Sequence, residues 1–256
     1  MIKEIKEKLK HMKGKTDSRK VLIVGTGRSG THWIAYILKE HPKIKATIER
    51  DPGFKWVKQM AVDPSTKKTL YKKLVYYYWW NHIKSVPRHY VDKSHPALWV
   101  IDELINTFND LLVLGVERNP YATIASMLQH KGVKKWFGQW KKYPLPNKFL
   151  GITKKDVDKY ESYSIVKKCA KRWKSHHEKM KTIKNKYDNV CVINHEELVY
   201  ETSEVTKRMR DFIGLESQLR VSNIDYRTID KWKKELTHKD IKEIYDVTGV
   251  KKGSWL

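Results

Sequence analysis

The stretch Val21-Leu-Ile-Val-Gly-Thr-Gly-Arg-Ser-Gly-Thr-His-Trp33 constrains this chain more than any other. An apolar run enters a turn holding Gly25, Gly27 and Gly30, and a helix-compatible run comes directly after it. That order predicts a buried strand, a tight turn and a helix whose N-terminus looks back at the turn. Backbone N–H groups converge at such a junction and the helix dipole favours negative charge, so the loop is expected to hold a phosphate group. The same order belongs to an α/β architecture with a parallel sheet.

The residues in and after the turn narrow the phosphate compound. Gly25-Thr-Gly27-Arg-Ser-Gly30 satisfies the dinucleotide fingerprint, and Glu49, after the alternating Ile44-Lys-Ala-Thr-Ile48, would be its ribose-binding acid; an NAD(P)-binding enzyme is thus one alternative. The nucleoside-triphosphate loop fits worse, because Thr31 and His32 stand where lysine and a magnesium-binding hydroxyl are needed. That argues against a magnesium-dependent kinase or ATPase. A second apolar run, Leu111-Leu-Val-Leu-Gly-Val-Glu117, ends in Arg118, and Pro120 suits the first turn of a helix containing Ser126. Arg118 just before that helix and Ser126 about two turns into it can reach one anion beside the helix. Together the two junctions suggest a ligand with two separate phosphate groups.

At this level of detail the chain resembles the sulfotransferase family. Gly27-Arg-Ser-Gly-Thr31, with a helix ending Glu40-His41-Pro42, is similar to that family's 5′-phosphosulfate loop. Arg118-Asn-Pro with Ser126 resembles its motif for the 3′-phosphate of PAPS (3′-phosphoadenosine 5′-phosphosulfate). Tyr90-Val-Asp-Lys93-Ser-His95-Pro96 resembles the stretch carrying an active-site lysine or histidine. Asn189 to Leu198 resembles a late strand, and Arg227-Thr-Ile-Asp-Lys-Trp232 a C-terminal segment closing over the nucleotide. The resemblance runs from about residue 20 to 240 and implies a P-loop-like three-layer sandwich, a central parallel sheet flanked by helices. It also implies a PAPS-dependent transferase that needs no metal and sulfates a hydroxyl or amine acceptor on a glycan, lipid, small molecule or peptide.

Sulfuryl transfer resembles phosphoryl transfer, in which the protein mainly positions groups and stabilises charge. Arg28 is placed to neutralise the leaving phosphate with its forked donors. Gly27, Ser29, Gly30, Thr31, His32 and Trp33 are expected around the 5′-phosphate, Arg118 and Ser126 on the 3′-phosphate, and Thr228 and Trp232 against the nucleotide. Glu49 is the first candidate for general base and His95 the second, while Lys93 is a candidate to pin sulfate oxygens. The bland alternatives are a surface Glu49 paired with Arg50 and a structural His95.

Composition adds a positive field. Fifty-three Lys and Arg against 29 Asp and Glu give a net charge of +24, which attracts polyanions and makes a nucleic-acid-binding protein the main non-enzyme alternative. Tyr71-Lys-Lys-Leu-Val-Tyr-Tyr-Tyr-Trp-Trp80 interleaves aromatics with lysines but reads more simply as an aromatic helix. Cys169 and Cys191 give neither a disulfide framework nor a metal spacing, and Cys191 reads as a buried strand residue. The first residues are charged, without an apolar signal core, so a cytoplasmic protein, bacterial or viral, is expected. Residues 1–18 are expected to form a charged amphipathic helix or arm, and 19–256 a single domain. Strands are expected near 20–25, 44–49, 111–117 and 189–194, and helices from 30, from 120, over about 160–186 and over 203–213. The long helix shows a core stripe of Ile165, Cys169, Trp173, His176 and Met180, although the lysine-rich setting of His176-His177 suggests solvation. Residues 131–156, rich in Gly, Pro and Trp, read as an irregular lid over the acceptor site.

Overall fold

A computed structural model describes residues 17–222 and 224–255; the expected N-terminal helix or arm thus lies almost wholly outside the described residues. The strands are β1 (Lys20–Gly25), β2 (Ile44–Ile48), β3 (His89–Lys93), β4 (Leu111–Glu117) and β5 (Val190–Asn194). They form one sheet in the order β2-β3-β1-β4-β5, and every pairing is parallel. Helices α1 (Thr31–Lys39) and α2 (Gly53–Val62) follow the first two strands, and α3 (Lys67–Ile83) leads to β3. Helix α4 (Ile101–Thr107) precedes β4, α5 (Pro120–Leu128) and α6 (Lys131–Gly138) follow it, and α7 (Ile165–Lys186) enters β5. The chain continues through α8 (His195–Tyr200), α9 (Thr202–Ile213), α10 (Arg227–Asp230), α11 (Trp232–Glu235) and α12 (His238–Thr248).

All six residues of β1 are buried, as a central parallel strand covered on both faces requires. Leu22 and Val24 enter a layer with Val57 and Met60 of α2, Leu74 and Tyr78 of α3 and Leu104 of α4. Val21 and Ile23 enter the opposite layer with Ile34 and Leu38 of α1 and Val205 and Met209 of α9. This is the three-layer α/β sandwich of the P-loop-like class. A third cluster, including Tyr121, Phe149, Trp173, Trp232 and Ile244, joins α5, α7, α11 and α12 beside the sheet.

The chain leaves β1 toward β2 and leaves β4 toward β5, in opposite directions across the sheet. The carboxyl ends of β1 and β4 therefore flank the switch point, where open α/β sheets hold ligands. Gly25 lies opposite Val116 in this register, so the glycine turn and Arg118 open onto one crevice.

Several local expectations are corrected. Strand β3 is central, yet its sequence His89-Tyr-Val-Asp-Lys93 gave no apolar signal; its polar members are buried in side-chain networks instead. Ile165 is 40% exposed because it sits in the first turn of α7, before the stripe meets the core, whereas Cys169, Trp173, His176 and Met180 are buried. His176 is therefore not solvated: its Nε2 accepts from Trp99 Nε1 (3.0 Å). Cys191 is only half-buried. Within 131–156, residues 131–138 are helical, and Phe137, Trp140, Phe149, Leu150 and Ile152 are packed inside.

Candidate functional site

The glycine turn bends through left-handed backbone at Gly27 (φ 74°), Arg28 (φ 67°) and Gly30 (φ 95°). A Cβ at Gly30 would stand 2.5 Å from His195 Nδ1, so both the conformation and the close approach require glycine there. Gly30 is also the N-cap of α1 and offers no side-chain cap, which leaves the first N–H groups of that helix available to an anion. Ser29 Oγ is buried without a hydrogen-bond partner among the described residues, and Thr31 is buried at the first helical position. Trp33 turns its ring edge-on to His195, with centroids 5.5 Å apart.

The second junction differs in kind. Asn119 Oδ1 accepts from the backbone N–H groups of Tyr121 (2.9 Å) and Ala122 (3.4 Å), so the N-terminus of α5 is already capped. An anion here has to be held by side chains beside the helix. Arg28 Nε donates to Ser126 Oγ (3.0 Å), and Arg118 Nη1 donates to the Arg28 carbonyl (3.4 Å). Arg118 Nη2 donates to the carbonyl of Thr228 (2.6 Å), tying the C-terminal segment to the same wall. These residues line a cavity of about 320 Å³ with Lys231, Gln129, His130, Trp232 and Glu235. Trp232 stacks on Tyr121 at 5.0 Å and forms the apolar side. Burial and the neighbouring Arg28 both lower the affinity of Arg118 for its proton, against the carboxylate of Glu196 3.9 Å away. Arg28, Arg118 and Lys231 outnumber Glu235, which pairs with Lys231, and Glu196 beside Arg118, so the cavity keeps a positive excess that favours an anion.

A third group gathers at the ends of β2 and β3. Glu49, in left-handed backbone (φ 46°), donates its N–H to the carbonyl of Lys93 (2.9 Å). Its carboxylate pairs with the buried Lys93 ammonium and accepts from His95 Nδ1 (3.0 Å), not from Arg50. Lys93 Nζ also meets His32 Nδ1 (3.0 Å). Burial works to raise the Glu49 carboxyl, but the hydrogen bond and charge of His95 and the Lys93 ammonium outweigh it and hold it at about 2. Burial drives His95 down to about 4, with Lys93 adding to the effect and Glu49 opposing it. A carboxylate only accepts, so the Glu49 contact assigns the proton to His95 Nδ1 and leaves a lone pair on Nε2. A Cβ on Gly27 would stand 3.0 Å from that Nε2, so the imidazole lies against the glycine turn.

Helix α7 reaches both loops from below. Arg172 Nη1 donates to the carbonyl of Thr26 (3.1 Å), and the indole N–H of Trp173 donates to the carbonyl of Arg118 (3.2 Å). Arg172 is 1% exposed, its Nε and Nη2 lack hydrogen-bond partners among the described residues, and its guanidinium lies 4.7 Å from the Phe149 ring and 5.1 Å from the Trp136 ring. Sequence reasoning missed Arg172, whose place between Cys169 and His176 on the buried stripe was the available signal. It also missed His195, Gln129, His130 and Lys231, which long-range packing alone brings to the site.

The sulfotransferase family model matches residues 20–218. Among solved structures, the sulfotransferase domain of the curacin biosynthetic pathway aligns over 90% of this chain and 96% of its own, at 12% identity and a TM-score of 0.60. The sulfotransferase domain of a Synechococcus olefin synthase covers 92% and 96%, at 14% identity and 0.56. A sulfotransferase from Alicyclobacillus acidocaldarius covers 92% and 97%, at 13% identity and 0.51. At these identities the structural likeness concerns the fold. No curated protein matches the chain.

Proposed function

This chain belongs to the sulfotransferase family, and on that footing we propose that it moves the sulfuryl group of PAPS onto a hydroxyl or amine acceptor. The observation that carries the reading is the cavity where Arg28, Ser126 and Arg118 are joined through Arg28 Nε–Ser126 Oγ and Arg118 Nη1–Arg28 O contacts. It supports a ligand with one phosphate in the glycine turn and a second beside α5. PAPS supplies an already electrophilic sulfur and a bisphosphate leaving group. The N–H groups of Ser29 to Trp33 and the orphaned Ser29 hydroxyl hold the 5′-phosphate, and Arg118 with Ser126 holds the 3′-phosphate. Arg28 neutralises the oxygen on which charge collects as the S–O bond to phosphate breaks. Thr228 and Trp232 border the nucleotide, and Lys93 with His32 faces the sulfate oxygens.

The new bond from acceptor oxygen or nitrogen to sulfur releases one proton. His95 Nε2 takes it, and Glu49 fixes the imidazole through Nδ1. Both groups are held well below neutral pH, so the choice rests on geometry: the Glu49 carboxylate is already taken by Lys93 and His95, whereas the neutral, oriented imidazole keeps a free lone pair on Nε2. Glu49 thereby becomes a positioning residue. The segment 131–156 covers the acceptor side, with Trp136 at its boundary. Calorimetry with 3′,5′-adenosine bisphosphate (PAP) tests the reading: binding is expected to require the 3′-phosphate and to disappear in Arg118→Ala. Tighter binding of NAD, or only salt-sensitive binding of oligonucleotides, would sink it.

A further inference from the structure

Helix α3 carries more aromatic surface than its packing uses. Leu74, Val75, Tyr78 and His82 turn inward, while Tyr76 and Trp80 lie 47% and 42% exposed on the other side. The two are one turn apart, and their rings stack with centroids 6.3 Å apart and an interplanar angle of 10°. Half-buried Trp79 packs beside both. Lys72, Lys73 and Lys84 extend the exposed strip, and Lys84 Nζ stands 4.6 Å from the Trp80 ring centre. Between Asp63 and Asp92 the chain has no acidic residue and carries Lys67, Lys68, Lys72, Lys73, Lys84 and Arg88. Lys67 is paired with Glu103 of α4 (2.5 Å), and the other cations of the segment put positive charge beside the large indole and phenol surfaces.

We propose that this face of α3 docks the protein on an anionic lipid surface. Tyrosine and tryptophan settle at the headgroup level, where the ring body is apolar and its polar edge stays wet. Lysines beside them reach lipid phosphates and carboxylates while their stems cover apolar surface. The exposed strip from Lys72 to Lys84 lies along one side of a helix and is continuous over about three turns, a form suited to a plane. A single-stranded nucleic acid instead needs ring faces open to its bases. Here Tyr76 and Trp80 face each other, and Lys84 occupies space over Trp80.

Sedimentation with phosphatidylserine–phosphatidylcholine vesicles, read together with tryptophan emission, tests the proposal without any substrate. Binding with a blue shift is expected on anionic vesicles and a much weaker response on phosphatidylcholine alone. Tyr76→Ser/Trp80→Ser leaves the net charge unchanged and is expected to lose about tenfold in vesicle affinity, while its thermal midpoint stays that of the parent. Lys72→Glu/Lys73→Glu is expected to lose at least about thirtyfold through charge, again with the thermal midpoint kept. No binding to anionic vesicles, or undiminished binding by the aromatic variant, would overturn the proposal. So would an oligonucleotide that binds the parent more tightly than the vesicles do and loses its affinity in the aromatic variant.

Discussion

In the proposed mechanism the chemistry turns on His95, whose Nε2 lies against the glycine turn and whose Nδ1 is taken by Glu49. His95→Ala is expected to lower turnover by about 10²–10⁴-fold while PAP affinity stays near that of the parent; single-turnover kinetics beside calorimetry separates the two. Turnover should fall as pH drops through the value at which Nε2 gains a proton. Burial sets that value at about 4, so the acid limb lies well below the ordinary histidine range. The Glu49 carboxylate holds the His95 proton more tightly, so Glu49→Gln should move the acid limb further down and cost less rate than His95→Ala. A pH–rate profile checks this, and an acid limb that stays in place would return Glu49 to a purely structural role. Glu49, Lys93 and His95 were visible in the sequence as separate candidates. Their union was not, because it depends on β2 and β3 ending side by side in the register Ile48–Lys93.

At the scale of elements, the two strand–helix junctions divide the work through their caps. Helix α1 begins at a glycine and presents bare N–H groups, whereas α5 begins at Asn119 and presents none of its first ones. The first junction can therefore offer backbone N–H groups to an anion, and in the proposed reading the second uses Arg118 and Ser126. Helix α7 steadies both, with successive side chains on the Thr26 and Arg118 carbonyls. Trp173→Phe keeps the ring and removes one N–H donor, worth about 1 kcal/mol. We expect a PAP affinity roughly fivefold lower, with 5′-AMP, which lacks the 3′-phosphate, binding as before. Isothermal titration with both nucleotides decides this; an equal loss for each would mean a general loosening of α7. The strands β1 and β4 and their helices were readable because apolar runs and turn residues are local signals. Strand β3 was hidden because Asp92 and Lys93 are buried by cross-strand partners, Thr47 and Glu49, that local sequence does not reveal.

The whole molecule carries several histidines that are neutral because they are buried. Burial lowers His82 and His95 to about 4, His195 to about 3, and His176 well below the usual value of 6.5. The unfolded chain takes up protons at these sites below about pH 6.5, and the folded chain does not until pH nears 4 or lower. Stability should therefore fall as pH drops through that window, by about 2 kcal/mol for each of His82, His95 and His195 at pH 5 relative to pH 7, with His176 adding in the same direction. Urea denaturation at the two values measures it, and an unchanged midpoint would contradict the burial of these rings. The net charge of +24 was plain from composition, but which cation lies inside was not. Arg172 shows the difference, being enclosed by the rings of Trp136 and Phe149 instead of facing a carboxylate. Its enclosure also bears on attempts to redirect the enzyme by exchanging segments with relatives. A transplanted 131–156 segment lacking rings at these two positions would leave a buried cation without its aromatic walls, directly beneath the glycine turn. On the proposed function such a chimera would fail at the glycine turn, however well its new surface suited an acceptor, so Trp136 and Phe149 have to be retained as part of the recipient scaffold.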